Sequence, residues 1–324
     1  MGRMIKGRIL VTGASGFIGR HLCLFLKETG WVVRAAVRSD AGDIPGVDDH
    51  IRVGDINGST DWTKALKDVD HLIHLAGRAH IMREHLRDPA SVYHQVNVLG
   101  TRRLADQAAQ AGVKRFIFAS SAKVNGESGF FTEKDLPQPK GDYALSKLNA
   151  EKEVITVCGN SAMQEVILRL PLVYGPGVKA NFLQLIRLVE RGIPLPFKSI
   201  RNKRSFIYTG NLCDIMELCL SHPAAAKQLF LAGDGADIST PELISVIAGA
   251  FKKKACLFSC PVSILRITGL LTARAAAISR LTDSLCVRTE KFSTLTGWKP
   301  RFSVEEGITK TVGFYKDKRH EKSF

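Results

Sequence analysis

Tyr143 and Lys147 stand four residues apart in the run DYALSK, and upstream the apolar run RFIFASS ends in two hydroxyls, Ser120 and Ser121. Positions four apart on a helix share a face, so a helical reading of DYALSK sets an ammonium beside a phenol. A free tyrosine has a pKa of about 10, too high to exchange a proton readily near neutrality. A fixed cation beside it favours phenolate and draws that value toward the working pH. A strand-end hydroxyl can hydrogen-bond a reacting oxygen and turn it toward the phenol. The chemistry these residues imply is proton transfer at a hydroxyl or carbonyl oxygen. The same pair occurs by chance on ordinary surface helices, so its meaning depends on what else the chain carries.

A second motif supplies that context. VTGASGFIG places Gly13, Gly16 and Gly19, with Ser15, Phe17 and Ile18 between them, after an apolar strand and at the opening of a helix. Glycines there permit a tight turn and let backbone N–H groups approach a pyrophosphate at the helix N-terminus. The next strand, VVRAAV, runs out at Val37 into Arg38 and Ser39. An acid at that point would accept ribose hydroxyls and repel a 2′-phosphate, whereas an arginine with a serine offers charge and donors to one. The expected cofactor is NADP(H) in preference, with NAD(H) possible. A solvated surface arginine is the competing reading.

Such residues need a scaffold. Short apolar runs alternate with helical patterns through the first half: RILVTG, WVVRAAV, HIRVGD, HLIHLAG, RFIFASS and EVILRLPLVYG. The alternation predicts an α/β protein, a Rossmann-type doubly wound parallel sheet with helices on both faces. After about residue 175 helical segments dominate (NFLQLIRLVERG, GNLCDIMELCLSH, TPELISVIAGAF). Residues 1–175 are therefore read as the dinucleotide-binding domain, with some later segments returning to it. Residues 176–324 form mainly a smaller, mixed substrate-binding lobe. VSILRITGLLTARAAAISRL reads as helical, with arginines at 266, 274 and 280. Lobe packing is its ordinary role, and contact with a membrane surface is the alternative.

The 324-residue chain carries a formal net charge of +15, which suits an anionic partner or a soluble surface with a basic tail. Seven scattered cysteines form no paired CxxC sets, so reduced core thiols are expected and neither a metal nor a disulfide. The glycine-broken N-terminus does not read as a signal peptide. The run ACLFSCPVSIL is too short to span a bilayer. A cytoplasmic protein without a transmembrane segment is expected, with a small-molecule partner and no nucleic acid.

TGxxGxxG followed by YxxxK resembles the extended short-chain dehydrogenases/reductases, the NAD-dependent epimerase/dehydratase family, and the likeness covers nearly the whole chain. It implies that Ser121, Tyr143 and Lys147 are catalytic. Asp55 and Ile56 in VGDI resemble the pair that brackets the adenine, and Leu75, Ala76 and Gly77 the turn lining the cofactor. Asn97 resembles the asparagine that steadies the central helix. RLPLVYGPG, with Pro171 and Val173, resembles the loop meeting the nicotinamide amide. Asn181 and Arg204 resemble residues that hold a nucleotide diphosphate, as an arginine fork would. Arg78, Lys123 and Asn125 are placed toward the substrate, Asn125 standing where the family pattern has a tyrosine. SSAKVNGE and LAGRAH further resemble a UDP-glucose 4-epimerase-like bacterial subgroup that includes C4 reductases. That likeness implies reduction of a UDP-4-keto-6-deoxy-N-acetylhexosamine to UDP-N-acetylquinovosamine for surface polysaccharide such as O-antigen, with a UDP-hexose 4-epimerase as runner-up. A reductase of apolar steroid or flavonoid ketones and a non-catalytic NADP(H)-sensing regulator are the rival classes. A homodimer is expected by analogy alone.

Overall fold

In the computed structural model, which describes residues 6–40, 42–79 and 88–321, seven strands form one parallel sheet. His80 of the LAGRAH turn and the chain end from 322 lie outside the described residues. The strands are β1 (Arg8–Thr12), β2 (Val32–Val37), β3 (Asp49–Arg52), β4 (His71–His74), β5 (Arg115–Ser121), β7 (Gln164–Leu170) and β10 (Gln228–Leu231). Their spatial order is β10-β7-β5-β4-β1-β2-β3, with the reversal at β1 and β4 that opens a crevice beyond the carboxyl ends. Two short parallel pairs stand apart: β6 (Gly129–Phe131) with β11 (Leu285–Val287), and β8 (Leu172–Tyr174) with β9 (Phe206–Tyr208).

Alternation of side chains along the strands explains why both faces are covered. Ile9 and Val11 of β1 enter one core with Leu22 and Leu26 of helix Phe17–Glu28. Leu10, between them, enters a second core with Leu104 of helix Gly100–Gln110 and Val154 of helix Gly141–Gly159. A third core, built around Tyr174, Ile186, Ile247 and Ile308, draws all its buried members from beyond residue 173, with Phe17 packed against it. The return of later segments is substantial. β10 sits at the sheet edge, and Leu212 and Met216 of helix Thr209–Ser221, with Phe292, join the first core.

Three local findings refine this picture. VSILRITGLLTARAAAISRL is not one helix but a hairpin of Val262–Leu271 and Ala275–Thr282, broken where Ala273 takes a left-handed φ of 54°. Five of the seven cysteines are buried free thiols, while Cys256 is exposed and Cys260 half-buried. His74 is a core histidine: Nδ1 pairs with Thr12 Oγ1 at 2.6 Å and Nε2 with Thr101 Oγ1 at 2.9 Å, and burial pushes its pKa down to about 3. Among the described residues no helix is long and apolar enough to cross a membrane.

Candidate active site

The glycine turn is built for close approach. Gly13 has φ +70°, and a Cβ there would lie 2.8 Å from the Ala76 nitrogen; one on Gly19 would lie 2.2 Å from the Gly13 carbonyl oxygen. Both positions therefore exclude side chains. Gly16 is the N-cap of helix Phe17–Glu28 and supplies no capping side chain, so the first-turn N–H groups keep their capacity for an anion. The turn is fastened from beneath by Thr12, whose hydroxyl accepts the Ala76 N–H at 3.2 Å. Ser15 is exposed, Phe17 packs against the third core and Ile18 against the first, and His21 Nε2 lies 2.7 Å from the Pro176 carbonyl, tying the helix to the loop after β8. At the end of β2, Arg38 and Ser39 are exposed, and Arg38 Nη1 lies 3.9 Å from the exposed carboxylate of Asp55. Ile56, beside it, is half-buried against the second core.

Leu75, Ala76 and Gly77 continue the crevice from β4. A Cβ on Gly77 would lie 3.2 Å from Asn97 Oδ1 and 3.3 Å from Lys147 Nζ, so the glycine leaves the approach to that ammonium open. Asn97 is buried in a widened, π-type turn, His94–Leu99, a deviation that re-aims side chains and is found often at functional sites. Its amide accepts from the Arg78 N–H at 2.7 Å and donates to the Arg78 carbonyl at 3.1 Å and to Ser146 Oγ at 3.0 Å. Arg78 is thus held by its backbone at the crevice mouth. Pro171 is buried at the join of β7 and β8, and Val173 of β8 is half-buried after it.

The three expected catalytic residues meet at the carboxyl end of β5. Ser121 is the last residue of β5 and its hydroxyl hydrogen-bonds the Tyr143 phenol. The Tyr143 ring also meets Tyr93 edge-on at 6.1 Å. Lys147, fully buried, donates from Nζ to the Ala119 carbonyl at 2.9 Å and lies 4.7 Å from the centre of the Phe118 ring. Burial pushes Lys147 down to about 8, with the Glu151 carboxylate opposing. Here the electrostatic expectation is corrected. Burial holds Tyr143 above its ordinary value, and the Ser121 hydrogen bond pulls the other way. The Lys147 ammonium is directed at a backbone carbonyl, and burial is the largest influence on the phenol.

Sequence reasoning missed what lies under this group. Glu151 occupies the next turn of the helix that carries Tyr143 and Lys147, all three on one face. It accepts Arg169 bidentately, Nε to Oε1 at 3.0 Å and Nη2 to Oε2 at 2.7 Å, and also accepts the Ser120 hydroxyl. Arg169 Nη1 donates in turn to Asn125 Oδ1 at 2.9 Å. Asn125, expected to face the substrate, is fully buried with its side-chain oxygen on Arg169. Lys123 is half-buried and pairs with Glu127 at 3.0 Å. Asn181 and Arg204, 23 residues apart, do face one cavity, lined also by Leu172, Phe206 and Arg280. Arg204 Nη1 donates to the Asp283 carbonyl at 3.1 Å, and burial works against its charge. No cluster of three potential metal ligands occurs among the described residues.

Comparison with known proteins follows the same outline. The model of the NAD-dependent epimerase/dehydratase family matches residues 9–233. The chain is 42% identical over 316 residues, 96% of each chain, to a Vibrio cholerae protein named UDP-glucose 4-epimerase. It is 25% identical, over 96% of each chain, to the N-acetyl-alpha-D-glucosaminyl-diphospho-ditrans,octacis-undecaprenol 4-epimerase of Escherichia coli O157:H7. Among solved structures, MoeE5 in complex with UDP-glucuronic acid and NAD superposes with a TM-score of 0.77 at 28% identity, covering 96% of this chain and all of that one.

Proposed function

Because the chain belongs to the NAD-dependent epimerase/dehydratase family, we propose that it moves a hydride at C4 of a UDP-linked hexose, with Tyr143 as the proton donor or acceptor. The observation that carries this reading is the Ser121–Tyr143–Lys147 group on the same sheet edge as a glycine turn that admits no side chain. The turn and the crevice from Leu75 to Gly77 fit a dinucleotide. Bound there, the nicotinamide supplies or takes the hydride. The remaining work falls to this chain: Ser121 orients the sugar oxygen, Tyr143 passes the proton, and Lys147 carries the adjacent charge. The two relatives support C4 in particular, since both are named for 4-epimerisation of a diphosphate-linked sugar.

Within that chemistry we favour reduction of a UDP-4-keto-6-deoxy-N-acetylhexosamine to UDP-N-acetylquinovosamine. A ketone reduction needs a protonated phenol, and burial keeps Tyr143 in that form. Arg38 and Ser39, exposed after β2, suit the 2′-phosphate of a freely exchanging NADPH. The second reading, a UDP-hexose 4-epimerase with retained NAD, is favoured by the Vibrio cholerae relative's name and by the NAD in MoeE5. Purified protein supplied with NADPH and UDP-4-keto-6-deoxy-N-acetylglucosamine should consume the cofactor stoichiometrically. Interconversion of UDP-glucose and UDP-galactose without added cofactor, and no NADPH consumption, would reject reduction and leave the epimerase.

The cofactor has its own test. Arg38→Ala removes a charge-assisted hydrogen bond worth about 1.5 to 3 kcal/mol, or roughly ten- to hundred-fold in NADPH affinity. NADH affinity should barely change. Because Arg38 is exposed and its ion pair among the described residues is a distant, exposed one with Asp55, the substitution leaves the fold intact. Equal small effects on both dissociation constants would assign Arg38 to the solvated surface.

A further inference from the structure

Helix Val262–Leu271 is apolar on two opposite sides. Its inner side buries Leu265 and Gly269, and the approach to the second helix of the hairpin is so close that a Cβ on Gly269 would lie 2.7 Å from Ile278 Cγ1. Its outer side carries Ile264, Ile267, Leu270 and Leu271, left 49%, 56%, 70% and 81% exposed. Spacings of three, six and seven residues keep these four on one stripe. A helix apolar on two sides is ordinarily enclosed on both, and this one is enclosed on one side only.

Charge indicates the occupant. Residues 243–282 contain six lysines and arginines and no aspartate or glutamate. Lys252, Lys253 and Lys254 precede the hairpin, and Arg274 and Arg280 lie at its turn and on its second helix, all exposed. Among the described residues, Arg266 alone of these is neutralised by a carboxylate, Asp283 at 2.9 Å. A second copy of this chain, docked face to face, would bring the two cationic rims together. An anionic bilayer accepts both features, the stripe sinking below the headgroups and the basic residues resting among the phosphates. The helix has ten residues, which suits lying in the interface and not crossing it.

We propose that the hairpin docks this protein on anionic phospholipid membrane. Arg280 and Leu281 also line the cavity that holds Asn181 and Arg204, so docking sets the mouth of that cavity beside the lipid surface. The attachment is independent of which sugar is processed.

Co-sedimentation of the full chain with vesicles of phosphatidylcholine alone and of phosphatidylcholine mixed with phosphatidylglycerol tests this. The protein should pellet with the mixed vesicles, weakly with phosphatidylcholine, and less in each case as salt rises. Ile267→Ser with Leu271→Ser, both exposed, should lower partitioning by at least about ten-fold while Tm and NADPH affinity stay at wild-type values. Three results would overturn the proposal: wild-type protein left in the supernatant with both vesicles, unaltered pelleting of the double variant, or concentration-dependent dimers that the variant abolishes without vesicle binding.

Discussion

Replacing Tyr143 with phenylalanine should lower kcat by roughly 10² to 10⁴-fold, the range for losing one positioned proton-transfer group. NADPH affinity should stay near wild type. The substitution removes a single oxygen, and the ring keeps its edge contact with Tyr93. The Ser121 hydroxyl loses the phenol but still accepts the Lys123 N–H at 3.3 Å, so it is not stranded. What disappears is the proton that burial retains on the phenol. Hydride transfer to a ketone then leaves an alkoxide with no donor in place, and Lys147, committed to the Ala119 carbonyl, is a poor substitute. Stopped-flow measurement with saturating NADPH and UDP-4-keto sugar isolates this step from product release. Wild-type turnover in Tyr143→Phe would end the mechanism, whichever sugar is the substrate.

How much of this was legible in the sequence depends on whether a residue's role is local. The glycine turn was, because strand, turn and helix follow one another and Gly16 and Gly19 close on the Gly13 carbonyl within that unit. The seven-stranded sheet was, because strands buried on both faces read as unbroken apolar runs. The sign of the Tyr143 shift was not. A cation four residues away argues for a lowered pKa, but burial is a tertiary property and it outweighs the neighbour. The burial of Asn125 was hidden for the same reason: nothing in SSAKVNGE shows that Arg169 arrives from β7 to take its amide oxygen. The outer stripe of Val262–Leu271 was visible only as general apolarity, since which side is covered depends on where Ile278 returns.

Glu151 had a visible signal, the spacing of eight from Tyr143 on one helical face, yet an acid four residues after a lysine reads as an ordinary surface pair. Its buried setting predicts the second large effect. Glu151→Gln preserves the shape and removes the charge that compensates Arg169, both side chains being under 5% exposed. Breaking a buried pair by removing one partner typically costs about 3 to 5 kcal/mol, because the remaining charge has neither water nor a counter-ion. The Asn125 carbonyl still accepts one bond from Arg169, but it is neutral. For a chain of this length that cost corresponds to a Tm lower by roughly 4 to 8 °C. A second consequence reaches the site. The Glu151 carboxylate is the influence that raises Lys147 against burial, so its removal lowers Lys147 further below about 8. The ammonium is then lost at a lower pH, and the alkaline fall in kcat should move toward neutrality. A merely structural role would lower Tm and leave the pH profile in place. An unchanged Tm would show instead that Arg169 is not held by this charge, and the buried network would lose its part in the site.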